Sequence, residues 1–222
     1  VNPLQWMYRP EELGIGKLAD LRGKVIGVTF GGNDETIMNT LLAEAGLGSS
    51  DVKIFSVRYD YTPFYRRQVQ LWPVYRNAQG PIIEAQLAKA GEKTAFFNPA
   101  DFGVKFVANC VVTSSRTVAE RPELVKRFLA ALLAGWQQAL DPQNEEKAIQ
   151  TLQKYDPDTP RQILQEQLQI TRGLVQPETG PAIGTIDSKG WEQTEGIMRA
   201  QKQLAGPVDL KAVLRPIGGG AE

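Results

Sequence analysis

Between Tyr59 and Pro81 the chain reads YDYTPFYRRQVQLWPVYRNAQGP, and six of its eighteen aromatic residues fall between Tyr59 and Tyr75. Arg66, Arg67 and Arg76 stand among them, no acid occurs between Asp60 and Glu84, and Gln68, Gln70, Asn77 and Gln79 add side-chain amides. Rings, amides and guanidinium groups can stack on and hydrogen-bond a small polar or aromatic molecule. Nothing in the set looks like machinery for breaking bonds. The competing reading is core packing, the ordinary fate of aromatic side chains, which suits Phe64 and Trp72. Tyr75, Arg76, Asn77 and Gln79 fit a core poorly, because they follow the end of an expected strand, where open parallel sheets place their ligands. Tyr59 and Tyr61 also follow a strand end.

A second candidate is Gly31-Gly32-Asn33-Asp34, between an expected strand and an expected helix. Backbone N–H groups at such a junction can receive an anion or the polar edge of a ligand. The same residues can equally form a tight turn with an N-cap. No Lys-Ser or Lys-Thr follows the glycines, so this is not a P-loop, and GxGxxG is absent. Asn98, Asp101 and Asn109 are ligand contacts or turn formers, with Asn98 reading as a turn former.

Composition narrows the chemistry. Lys plus Arg and Asp plus Glu are each 25 in 222 residues, so the net charge is zero. That balance and the lack of a basic run argue against a nucleic-acid partner. There is no histidine, which removes imidazole-based catalysis and most zinc sites. The single cysteine, Cys110, lies in VKFVANCVVT and is expected to be a small buried residue. Acids concentrate on expected helix surfaces, without a catalytic pair or a metal cluster. No cofactor and no enzymatic activity are expected. No apolar stretch reaches the ~18 residues of a membrane span, so no direct membrane insertion is expected.

The elements that position these residues begin with a strand at Lys24–Phe30 and a helix at Glu35–Gly46, capped by Asn33 or Asp34 and stopped by Gly46 or Gly48. A strand at Val52–Val57, a helical turn at Pro63–Gln68, a strand at Val69–Val74 and a helix at Ile82–Ala90 follow. This β-α-β-α-β-α order predicts an α/β fold with a mostly parallel sheet. A further strand is expected at Lys105–Val112. Beyond it come helices from Pro122, at Glu145–Tyr155, Thr159–Val175 and Ser188–Leu204, then a polar tail from Pro216. The helix from Pro122 carries an apolar stripe of Leu124, Val125, Phe128, Leu129, Leu132, Leu133, Trp136 and Leu140. One strand is little for that much apolar helix to pack on.

Four stretches together, Asp20–Leu47 (DLRGKVIGVTFGGNDETIMNTLLAEAGL), Gln68–Tyr75 (QVQLWPVY), Asn98–Phe106 (NPADFGVKF) and Val111–Leu140, resemble the solute-binding proteins of ABC importers. The group is the one named for thiamine-pyrimidine precursor synthesis and uptake, related to sulfonate, taurine and nitrate binding proteins. The likeness runs from about Leu18 to about Met198. It implies a two-lobed, type II periplasmic-binding-protein-like fold with the ligand clamped between lobes joined by two crossing strands. On that pattern residues 1–20 are a remnant of lobe one and the first crossing, 21–101 are lobe two, and 102–222 return to lobe one, whose opening elements the family carries before the equivalent of Val1.

The resemblance also implies function: a solute-binding component for a small organic molecule, pyrimidine-like, otherwise heteroaromatic, or sulfonate-like. Its partners would be a membrane ABC permease and its ATPase, and it would be monomeric and periplasmic or extracytoplasmic, with a lipoprotein form allowed. An extracytoplasmic ligand-sensing domain of a signalling protein is the alternative. The motif matches place the ligand site on Gly31, Gly32, Asn33 and Asp34 and on Tyr75, Arg76, Asn77 and Gln79. The chain departs from the pattern where many relatives have Gly-Gln-Val-Asp-Ala and it has Arg67-Gln68-Val69-Gln70-Leu71. It also has the neutral Gln79 near where pyrimidine-binding relatives often carry a glutamate. The histidine and cysteine-rich motif of the yeast pyrimidine synthases are absent.

Overall fold

The computed structural model describes residues 2–216, in two compact units: Asn2–Phe106 with Glu192–Pro207, and Val107–Trp191 with residues 208–216. The tail expected after Pro216 lies outside the described residues.

The first unit is built on β-strands. β2 (Val25–Val28) pairs in parallel with β3 (Lys53–Ser56), Val25 opposite Lys53 and Val28 opposite Ser56. On its other side β2 meets the start of β4 (Trp72–Tyr75) through a parallel bridge between Ile26 and Leu71. β4 is antiparallel to β1 (Leu4–Tyr8), with Leu4 opposite Tyr75, and β1 is antiparallel to β5 (Ala95–Phe97). The lateral order is therefore β3-β2-β4-β1-β5, and β1 alone is reversed.

The side-chain alternation of the strands fills both faces. Trp6, Ile26 and Val28 join Ile37, Met38 and Leu41 of α1 (Asn33–Glu44) in one core. Met7, Trp72 and Val74 join Phe64 of α2 (Thr62–Tyr65) and Ile83 and Leu87 of α3 (Gln79–Lys89) in the other. The buried Trp6 indole is satisfied, because its Nε1–H donates to Gly27 O at 2.9 Å. Phe64 and Trp72 lie 6.1 Å apart in the core, the role their types suggest.

Three expectations change. The strand at Lys105–Val112 does not form: Val104 and Phe106 are buried, but no ladder is made there among the described residues. An apolar β-branched run needs a neighbouring strand to supply its hydrogen bonds. Cys110, in the same run, is exposed rather than buried. The N-cap of α1 is Gly32, without a side-chain cap, so Asn33 and Asp34 lie in the first turn instead. Gly46, at φ +64°, stops that helix as expected.

The second unit contains α4 (Ser115–Glu120), α5 (Pro122–Leu140), α6 (Glu145–Tyr155), α7 (Arg161–Val175) and α9 (Leu210–Val213). Leu140, Ile149 and Leu168 form its small core. The Arg172 guanidinium donates to Leu140 O at 2.6 Å and pairs with Glu145 at 3.3 Å, tying α7 to the end of α5 and the start of α6. Of the expected α5 stripe, Leu140 is buried, whereas Leu124, Phe128 and Trp136 are exposed. α8 (Ser188–Ala200) belongs to the first unit from Glu192 onward. There Gln201, just past its end, donates to Thr36 O at 2.6 Å and to Thr40 Oγ1 at 2.7 Å on α1.

Candidate ligand-binding site

Because β2, β3, β4 and β5 run the same way, the segments after their C-terminal ends reach one end of the sheet. Residues 29–34 follow β2, 57–61 follow β3, the turn at 75–79 closes β4, and 98–101 follow β5. The two regions singled out in the sequence thus come together. Their side chains divide into those that hold the loops and those that remain available.

The turn after β2 is fixed from within. Gly31 adopts φ +78°, and its N–H donates to Glu35 Oε2 at 2.7 Å. A Cβ at Gly32 would stand 2.5 Å from Asp34 Oδ1 and 2.9 Å from Thr29 O, so only glycine fits. Asp34 is buried, and its Oδ2 accepts the Thr29 N–H at 2.6 Å. Two carboxylates therefore already occupy loop amides that an anion would need. Asn33 remains exposed at the helix start.

The other loops show the same division. Tyr61 packs edge-on against Tyr65 and Trp72, and burial pushes its phenol above the usual range, with Tyr59 a smaller cause. Tyr59 is 94% exposed. Asp60 accepts from the Thr62 side chain and backbone, which holds its carboxyl below the usual range. Tyr75 is 42% exposed, while its N–H donates to Gln79 Oε1 at 3.0 Å. Arg76 lies 4.1 Å over the Phe96 ring and pairs with Glu84 at 3.0 Å, whose other oxygen accepts from Thr94 at 3.1 Å. Asn77 is half-buried and is also engaged within the chain. Asn98 is a turn former: its Oδ1 accepts the Ala100 N–H and its amide donates to Asp101.

Tyr59 and Tyr75 are therefore the exposed rings here, while Gln79, Arg76, Asp34 and Tyr61 shape the loops around them. Phe30, 60% exposed at the same end, is a ring that strand reasoning misses because it reads as the last residue of an apolar strand. A second missed cluster sits at the opposite end of the sheet. Arg9, fully buried just beyond β1, donates to Glu92 and, at 3.0 Å, to Phe64 O. Arg67 bonds Glu12 and, at 3.0 Å, Glu92. Among the described residues no group of His, Cys, Asp and Glu is arranged to hold a metal ion.

A family model described as NMT1/THI5 like matches residues 1–146. The chain belongs to the NMT1/THI5-like family. It is 28% identical over 221 residues to the riboflavin-binding protein RibY of Chloroflexus aurantiacus, covering 92% of this chain and 58% of that one. It is 24% identical over 212 residues to the formylaminopyrimidine-binding protein of Halalkalibacterium halodurans, covering 93% of this chain and 63% of that one. The chain thus spans about three-fifths of the length of these two relatives. Among solved structures it resembles the periplasmic aliphatic sulphonate binding protein SsuA of Escherichia coli, with a TM-score of 0.69 and 15% identity over 100% of this chain and 68% of that one. That likeness establishes the periplasmic-binding-protein-like α/β fold of type II. The two relatives and the fold neighbour are each named as binding proteins. Among the described residues no helix is long and apolar enough to cross a membrane.

Proposed function

We propose that this chain is the solute-binding component of an ABC importer, acting outside the cytoplasm with a membrane permease and its ATPase and without catalysis of its own. The observation that carries the reading is the gathering of exposed rings at the C-terminal ends of adjacent parallel strands in a member of the NMT1/THI5-like family. On this reading 21–101 supplies the frame of the second lobe, and Gly31, Gly32, Asn33, Asp34, Tyr59, Tyr61, Tyr75, Arg76, Asn77 and Gln79 build one wall of the site. Tyr59 and Tyr75 contact the solute, and the remaining residues set the shape of the wall. The relatives' names point to riboflavin and a formylaminopyrimidine, and the fold neighbour's title to aliphatic sulfonates, as the ligand classes to try first.

Native mass spectrometry of the gently purified protein tests the reading. A bound small molecule released on denaturation, or a one-to-one adduct with one of these classes, is expected. A protein that carries none and takes up none of them would contradict it.

A further inference from the structure

The turn after β2 is tied to the first turn of α1, because Asp34 and Glu35 bond the Thr29 and Gly31 amides. Whatever holds the start of α1 therefore sets that wall of the site. The helix start is loosely closed by its own bonds. Gly32 caps it without a side-chain bond. The Gly32 carbonyl accepts the Thr36 N–H at 3.3 Å and the Thr36 hydroxyl at 3.4 Å, both longer than such bonds usually are. Thr36 is nonetheless buried.

Short bonds to Thr36 come instead from residues 165 and 167 positions away. Gln203 Nε2 donates to Thr36 Oγ1 at 2.6 Å, and Gln201 Nε2 donates to Thr36 O at 2.6 Å. Both amides reach one residue because of how α8 ends. Lys202 adopts φ +59°, a backbone conformation uncommon for residues other than glycine. Its N–H donates to Arg199 O at 2.9 Å, and the Gln203 N–H donates to Met198 O at 2.8 Å. This is the Schellman stop that glycine usually makes. The bland reading is that the glutamines only dock α8 on α1. Ile197 and Met198 already do that, packed in one core with Ile37, Met38 and Leu41. What the amides add is a hold on the residue one turn past Gly32.

We propose that Gln203, seconded by Gln201, is a positioning residue of the solute site: it fixes Thr36, and through the first turn of α1 it sets the 29–34 wall without touching the solute. This rests on the solute-binding reading above. Losing one hydrogen bond that holds the bound geometry corresponds to a loss of about two- to ten-fold in affinity.

The test compares the whole protein with Gln203→Ala, Thr36→Val, Thr36→Ser and Gln193→Ala, with folding checked by circular dichroism. Gln193 holds α8 elsewhere, donating to Gly103 O at 2.8 Å and accepting the Lys105 N–H at 3.1 Å, so its loss weakens docking and spares Thr36. Binding is titrated with riboflavin and with butanesulfonate, and retention of any co-purified molecule is followed by native mass spectrometry. Deuterium exchange is read at 29–36 in the solute-free protein. Gln203→Ala and Thr36→Val are expected to speed that exchange and to weaken binding about two- to ten-fold. Thr36→Ser, which keeps the hydroxyl, should behave as the wild type, and Gln193→Ala should change neither readout. Adding Gln203→Ala to Thr36→Val should bring no further loss of affinity. An affinity unchanged in Gln203→Ala, or losses equal to those in Gln193→Ala, would overturn the positioning role and leave the solute-binding reading intact. A wild type that takes up neither probe and carries no co-purified molecule would instead remove the solute-binding reading, and the positioning role with it.

Discussion

At Tyr75 one residue serves both the fold and the site: its backbone N–H is held by Gln79 while its ring stands open to solvent. Substituting Tyr75 by Ala keeps the backbone bond, so solute affinity measured by calorimetry should fall about ten-fold or more while the urea midpoint barely moves. Asp34 behaves in the opposite way. It is buried and anchors the Thr29 N–H, so Asp34→Ala leaves a loop donor unpaired and should cost about 1–3 kcal/mol in chemical denaturation. Gly32→Ala should also destabilise, since its Cβ would press on Thr29 O, and a backbone atom cannot swing aside. The residue types of Gly31–Asp34 leave a turn and a ligand loop equally open. What decides their roles is that Asp34 and Glu35 fold back on the loop's own amides, a tertiary detail that spacing does not encode. For Tyr61 the deciding fact is likewise its edge contact with Trp72, eleven residues away in sequence.

Among the elements, those marked off by glycines, polar residues or a helical period are legible, and those without such marks are not. β2 and β3 are bounded by glycines or polar residues, and α1 and α3 repeat apolar positions at helical spacing. β1 shows no alternation, because Trp6 and Met7 both enter cores on opposite faces, and β5 is three residues long. Lys105–Val112 has the composition of a strand, but among the described residues no ladder forms along it. The link between Arg9, Glu92, Arg67 and Glu12 joins the end of β1 to the segments before β4 and β5, across 83 residues between Arg9 and Glu92. The hydrogen bond from Arg9, seconded by Arg67, holds the Glu92 carboxyl below its usual range against the opposing effect of burial. A carboxyl so depressed adds stability above its unfolded value, and that contribution is lost as the pH falls through the lower folded value. Glu92→Gln should therefore cost about 1–3 kcal/mol at neutral pH, because the buried Arg9 loses the nearer of its two carboxylate partners and keeps only Glu12, 3.8 Å away. The variant should also show a shallower loss of stability than the wild type between pH 5 and pH 3, about the range over which carboxylates titrate. Parallel slopes in urea denaturation across that range would argue against the link.

For the molecule as a whole, absent histidine and balanced charge remove catalysis by imidazole and nucleic-acid binding as first readings, and the element order yields the α/β class. The exposure of Phe30 is not legible, because the residue reads as the end of an apolar strand while the turn at Thr29–Gly32 takes it out of the ladder. If the sheet end is the site, a solute at a hundred times its Kd should stabilise the protein by about 2.7 kcal/mol, visible as a rise in Tm. The most direct test of the site is hydrogen exchange with and without the molecule that co-purifies. Slower exchange confined to 29–34, 57–61 and 75–79 is the result expected. Binding that leaves all three segments unchanged and protects others would contradict the placement of the ligand at the ends of these strands.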